Sequence, residues 1–361
     1  MIAILRTALP GPLKRSLRRL IDVISVAAVS IFATNCWMAN IYYFFFSRNF
    51  DREHLAVLKG RAAYYRALHG IGDSSPLLRR NVHRLEKGLI MQPRRDIFAE
   101  AYIQETVQCY IRAMGRPGYC EDELRWATDV LDEYFRVVKQ TPAILRAQRD
   151  YAAGRADLHR ISGVELSKFQ PYPRAACPET AVSCDQITTL FIRRRSVRWY
   201  KQQPVPSELI QQAINLGALA PSACNRQPYR FIVANDPDRA TKIAECAGGT
   251  AGYAQQIPAI LVVVGDLSAY PKERDRHLIY IDASLASMQL ILAAETLGLS
   301  TCLINWPDVD SAERKLQSIL GLPEYERVVM LISIGYADPE GGIPYSQKKQ
   351  NSLITKGCSS E

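Results

Sequence analysis

Arg193-Arg194-Arg195-Ser196-Val197-Arg198-Trp199-Tyr200 places four arginines and a serine within six positions. Guanidinium forks bind phosphate oxygens bidentately, and a hydroxyl adds one more donor. Alone, such a run is as readily a solvated basic surface as a binding site. Its neighbourhood decides. One amphipathic helix further on stands Ala220-Pro221-Ser222-Ala223-Cys224-Asn225-Arg226-Gln227-Pro228-Tyr229-Arg230-Phe231. Around this pair helix and strand alternate. A short helix covers 186–194, and Ser207 is expected to cap a helix to Leu219 with an apolar face. Arg230 to Ala234 is a strand, and Asp236-Pro237 opens a helix to Cys246. Ala259 to Val264 is continuously apolar, as a strand buried on both faces requires. Leu278 to Leu297 is a long apolar helix stopped by Gly298, and its small residues suit the centre of a dimer. Ser300 to Ile304, the helix Ser311 to Leu320 with its Gly321 stop, and Val328 to Ile334 complete an α+β sandwich whose sheet is covered by helices.

The two gapped motifs, in this order, resemble the opening of the nitroreductase family of FMN enzymes, where an R-x-S-x-R element precedes A-P-S-x-x-N-x-Q-P. That resemblance implies an FMN-dependent oxidoreductase, dimeric, which oxidises NAD(P)H and passes the electrons to a small-molecule acceptor, nitroaromatic- or quinone-like by default. FMN carries a dianionic phosphate, a polar ribityl chain and a ring edge that becomes anionic on reduction, so its protein supplies donors and a nearby cation. The resemblance implies that Arg194, Arg195 and Ser196 address the phosphate or ribityl end and that Arg198 lies near the pyrimidine edge. Pro221, Ser222, Ala223 and Asn225 then line the ring from the opposite subunit, with Gln227 shaping the loop. Gly298-Leu299-Ser300-Thr301-Cys302-Leu303-Ile304-Asn305 looks like the family segment that runs over the flavin face, with Leu303, Ile304 and Asn305 as contacts. Lys348 is expected on the phosphate, with Lys349 as the alternative. Two departures stand out. Position 224 is Cys where Ser or Thr is more usual, and the loop 247–258 lacks the Lys or Asn that many members use on the pyrimidine edge. No nucleophile, general base or metal is required, and no G-x-G-x-x-G opens a separate nicotinamide-binding domain.

The chain of 361 residues is long enough for two domains, and 48% hydrophobic with 22% charged residues is an ordinary globular composition. The net charge of +9 suits anionic lipids or phosphorylated cofactors. Interleaved basic and aromatic residues or a known module, which a nucleic-acid role would need, are missing from the sequence. Nine scattered cysteines without a C-x-x-C pair exclude a disulfide framework and fit a reducing compartment.

Residues 1–22 form a basic segment, and Val23 to Phe46 carries no formal charge. As one helix this run would extend about 36 Å, enough to cross a hydrocarbon core of about 30 Å. Membrane attachment through 23–46 is therefore expected, spanning or lying on the surface. Because NAD(P)H is cytosolic, a catalytic domain facing the cytoplasm is expected too. A helical N-terminal domain is expected over 47–169. Ser75-Pro76 starts one helix, others run from Ala99 to Met114 and from Glu121 to Gln140, and Pro142 ends the last. In His83-Arg84-Leu85-Glu86-Lys87-Gly88, His83 and Lys87 share a face, either as a polar site or as part of a salt-bridged helix. This H-R-L-E-K-G-L string resembles the N-terminal region of nitroreductase-like proteins among bacterial capsule and exopolysaccharide functions. It implies a context, the bacterial inner membrane and polysaccharide biosynthesis, and no reaction. The Pro-rich stretch 170–185 reads as the linker to a flavin domain over 186–361. A flavin-binding scaffold without turnover, serving a polysaccharide-assembly complex, is the alternative reading.

Overall fold

A computed structural model describes residues 16, 24–68, 70, 72–155, 169–355 and 357. The basic segment expected over 1–22 lies, except for position 16, outside the described residues, as do residues 156–168 of the helical domain expected over 47–169. The chain divides into two compact units, Met1–Leu55 and Ala56–Glu361.

In the first unit the apolar run does not form one continuous helix. Residues 24–32 are helical (α1), residues 33–35 turn, and α2 spans Cys36–Phe45. Asn35 is the cause: it takes an extended conformation, and its side chain accepts from the Met38 amide at 3.0 Å as an N-cap. The Phe32 ring then lies 5.6 Å from that of Tyr42 and 5.3 Å from that of Phe46. In a straight helix those residues would be about 15 and 21 Å apart, so the chain bends back on itself. Among the described residues the helix long and apolar enough to cross a membrane is Glu273–Thr296, half of which is buried in the second unit.

The next helix, α3, runs from Asp51 to Ala67. In the second unit a helical cluster precedes the sheet. Its members are α4 (Pro76–Leu89), α5 (Ile103–Met114), α6 (Glu121–Val137) and α7 (Pro142–Arg155). Ser75 caps α4 as expected, accepting from Leu78 N. Leu78, Val82 and Leu85 are fully buried against Ile103, Tyr110, Leu131 and Tyr134. Pro142 begins a helix as well as following one, because a residue at the first helical position needs no amide donor. Over 170–185 the chain has one 3-10 turn, Arg174–Ala176, before Ser183 and Gln186 form a reciprocal capping box.

That box opens α8 (Cys184–Arg193), and α9 comes next (Ser207–Gly217). Pro206 occupies the cap position, so Ser207 is the first helical residue and its hydroxyl accepts from Asn235 instead of capping. The sheet, four-stranded among the described residues, has the order β1 (Tyr229–Ala234), β2 (Ala259–Asp266), β4 (Glu326–Gly335), β3 (Ser300–Asn305), and all neighbours are antiparallel. Along β2, Ile260, Val262 and Val264 enter one core with α10 (Pro237–Ala244), while Ala259, Leu261 and Val263 enter the other with α9 and α11 (Leu278–Thr296). Both faces are therefore covered, which accounts for the unbroken apolar run. Gly217 lets α9 approach α11: a Cβ there would stand 2.9 Å from Leu290 Cβ. Gly321 ends α12 (Asp310–Leu320) in the left-handed conformation. A last short helix, α13, covers Asn351–Ile354.

Candidate functional site

The arginine-rich turn is pinned at the end of α8 and laid along β3. Arg193 pairs with Glu295 on α11 at 3.0 Å. Ser196 makes a parallel bridge to Thr301, and Val197 N donates to Thr301 O at 3.0 Å. Val197 and Tyr200 are buried, the latter donating to Val197 O and meeting Ser333 Oγ, so the turn has a rigid floor. Arg194, Arg195, Ser196 and Arg198 remain partly exposed above it. Arg198 lies 5.9 Å from the ring centroid of Tyr253. Burial pushes the Cys302 thiol up, although Arg198 and hydrogen bonds from Tyr253 and Ser196 pull the other way. Tyr253 comes from the loop noted for lacking Lys or Asn, and no sequence motif marks it.

The C-terminal segment reaches the same place. Lys201 N donates to Tyr336 O at 2.8 Å, Asp338 N to Trp199 O at 3.0 Å, and Arg195 to Tyr345 O at 3.4 Å. Lys348 and Lys349 come shortly after, both exposed. On β3, Leu303 and Asn305 are exposed, whereas the Ile304 side chain is buried in the core with Trp306 and Leu331. Ile304 can therefore offer only backbone to a ligand, because side chains alternate along a strand.

The second motif forms a tight loop after α9. Asn225, Cys224 and Gln227 hold φ of 51°, 53° and 49°, a region that side chains disfavour. Hydrogen bonds hold the shape. Asp282 on α11 accepts from Ala223 N at 2.9 Å, Gln227 N donates to Ser222 Oγ at 3.1 Å, and Gln227 Nε2 donates to Ala218 O at 2.9 Å. Pro221 is exposed, while Ser222, Ala223, Asn225 and Gln227 are half-buried. Burial raises the Asp282 carboxyl above its ordinary range against the opposing Ala223 amide, Tyr270 hydroxyl and Arg226 charge.

The two motifs are anchored at different ends of one helix. The loop is tied to α11 at Asp282 and the arginine turn at Glu295, thirteen positions further along the same helix. At 1.5 Å per residue these anchors are about 20 Å apart. Along α11, Ile281 just before the first anchor and Leu285 and Met288 between the two are 51%, 44% and 42% exposed. They recur at helical spacing on one side of a helix whose other side is core. Leu216 on α9, Leu219 just after it, and Phe191 and Ile192 on α8 are exposed too.

The helix-covered antiparallel sheet thus carries an arginine turn, a strained Pro-Ser-Ala-Cys-Asn loop and, in β3, an edge strand with exposed side chains. The nitroreductase family model matches residues 192–251 and 247–336. A putative NADH dehydrogenase/NAD(P)H nitroreductase of Archaeoglobus fulgidus is 30% identical over 161 residues, covering 43% of this chain and 88% of that protein. An NADH dehydrogenase of Thermus thermophilus is 28% identical over 184 residues, covering 42% and 87%. Iodotyrosine deiodinase 1 of Mus musculus is 24% identical over 209 residues, covering 50% and 72%. Among solved structures, an FMN-dependent nitroreductase from Clostridium difficile aligns with a TM-score of 0.40 at 27% identity, over 46% of this chain and 98% of that one. The chain belongs to the nitroreductase family.

Proposed function

We propose that this protein is an FMN-dependent NAD(P)H oxidoreductase acting as a homodimer on a small organic acceptor. The residues present suit FMN: the arginine turn groups three partly exposed guanidinium side chains, Arg194, Arg195 and Arg198, with the Ser196 hydroxyl, and the lysine-bearing tail runs beside them. Arg194, Arg195 and Lys348 would hold the phosphate and Ser196 the ribityl chain. Arg198, braced near Tyr253, would keep a positive charge at the pyrimidine edge. When bound, FMN would supply two-electron redox chemistry between NAD(P)H and the acceptor. The protein binds, orients and shields the reacting groups, and needs no nucleophile of its own. Leu303 and Asn305 offer a flat exposed edge for a ring, and a second copy's loop 221–227 would close over it.

One observation carries this reading. The two motifs are anchored about 20 Å apart on α11, with an uncovered apolar stripe between them. A two-fold partner seated on that stripe would set one copy's loop against the other's arginine turn, giving two equivalent sites. The membrane setting is also proposed. The exposed rings of Phe44, Phe45 and Phe46, with Trp37 and Tyr43 nearby, suit insertion at a bilayer interface. The reductase unit would then face the cytosolic nicotinamide pool. A setting in polysaccharide biosynthesis rests on the H-R-L-E-K-G-L resemblance alone.

The test is an absorbance spectrum of detergent-purified protein with and without added FMN, followed by anaerobic NADH or NADPH titration. Flavin bands bleached by nicotinamide are expected, and the Arg194→Ala/Arg198→Ala protein should lose its flavin. A colourless protein that gains no flavin, or a double variant that keeps it fully, overturns the proposal.

A further inference from the structure

The strained loop has a support that comes from outside the catalytic half. Arg79 lies in the first turn of α4, in the N-terminal helical cluster. Its Nε donates to Asn225 O at 2.7 Å and its Nη2 to Gln227 Oε1 at 2.8 Å. The third nitrogen, Nη1, donates to Glu123 Oε2 at 3.1 Å. One guanidinium thus spans two loop residues and one carboxylate across 146 and 148 positions of sequence on the loop side. Glu123 is fully enclosed and held in turn by Ser74 Oγ at 2.6 Å, Ser75 N at 3.1 Å and the Tyr119 hydroxyl. The Arg79 guanidinium also lies over the Trp126 ring at 5.5 Å.

Its position matters because of what it grips. Cys224, Asn225 and Gln227 all have positive φ, and none is glycine. Backbone in that region persists only when its surroundings over-determine it. Asp282 and Ser222 restrain the loop from the catalytic side, while Arg79 satisfies a carbonyl and a side-chain oxygen on the other. Lysine could not replace it, since a single ammonium lacks the planar fork that serves separate acceptors.

We propose that Arg79 is a positioning residue, through which the N-terminal helical cluster holds the 222–227 loop in its ligand-competent shape. Its bearing on flavin rests on the function proposed above. Its bearing on the loop does not.

Amide hydrogen exchange over peptides covering 220–228, measured on FMN-free full-length protein, tests the loop directly. FMN affinity is measured by fluorescence on the same preparations. Arg79→Ala should speed exchange there and weaken FMN binding, each by about tenfold, for loss of charge-assisted hydrogen bonds. Arg79→Lys should fall on the same side, and either variant decides if the other fails to fold. Arg84→Ala, which removes a cation stacked on Tyr102 elsewhere on α4, should change neither quantity. Unchanged exchange at 222–227 in a folded Arg79 variant overturns the inference, as does an equal effect of Arg84→Ala. If the unaltered protein binds no FMN, the proposed function fails while the exchange comparison still decides the clamp.

Discussion

Leu285→Glu separates a shared site from a self-contained one. Leu285 sits mid-stripe on α11, flanked by Ile281 and Met288, and is 44% exposed in the single chain. In a protomer the substituted carboxylate would point to water, and Glu is nearly as good a helix former as Leu, so the fold should survive. In a dimer the outcome differs. Completing the burial of a half-exposed leucine stabilises by about 1 kcal/mol, so two copies lose about 2 kcal/mol. Enclosing two carboxylates costs several kcal/mol more. A total of at least about 4 kcal/mol corresponds to roughly a thousandfold weaker dimerisation. Sedimentation equilibrium in detergent would measure the association, and FMN fluorescence the binding. Both should fail together if, as proposed, the loop and the arginine turn of one site belong to different copies. A monomeric variant that binds FMN as tightly as the unaltered protein would refute the shared-site reasoning, and so would an unweakened dimer.

Three further outcomes are expected. Arg194→Ala/Arg198→Ala should weaken FMN binding by about a hundredfold or more, at about 1.5–3 kcal/mol per charged hydrogen bond, as read by equilibrium dialysis. Asp282→Asn keeps an acceptor for Ala223 N and removes the titration. Burial raises the Asp282 carboxyl, so the folded state holds its proton more tightly than the unfolded state. That contribution is present at low pH and lost as pH rises from about 3.9 through the raised folded value. The melting temperature of the unaltered protein minus that of Asp282→Asn should therefore fall across this window, and a flat difference would refute the assignment. Asp266, Glu295 and Glu326, also raised by burial, are common to both proteins and cancel. Replacing Phe44, Phe45 and Phe46 together with Ser should weaken vesicle co-sedimentation by about a thousandfold if these rings enter lipid. Full retention on vesicles would remove them as the anchor.

Much of the fold could be read from short-range signals. Ser75-Pro76, Asp236-Pro237 and Gly321 act on their own backbone within a few residues, and the structure has each where its chemistry demands. The apolar run of β2 could only be a strand enclosed on both faces, and the two motifs marked the family before any contact was visible. Local pattern misled in two places. Asn35 breaks the apolar run, since an uncharged stretch does not reveal that one amide will cap a new helix. Pro142 begins a helix that its reading as a terminator hid, because proline suits both sides of a boundary. Strand register, which short-range pattern leaves open, turns the Ile304 side chain inward and leaves Leu303 and Asn305 outward.

What the residues determined by themselves was their chemistry: guanidinium beside hydroxyl, a turn rich in Pro, Ser and Asn, an apolar helix without a polar face. Tertiary structure alone decided that the two motifs are anchored to α11 at points about 20 Å apart. It alone brought Arg79 onto Asn225 and Gln227. The physical reason is range. Caps, stops and periodicity act over one or two turns of backbone, whereas a hydrogen bond between residues 146 positions apart exists only after packing has set both ends in place.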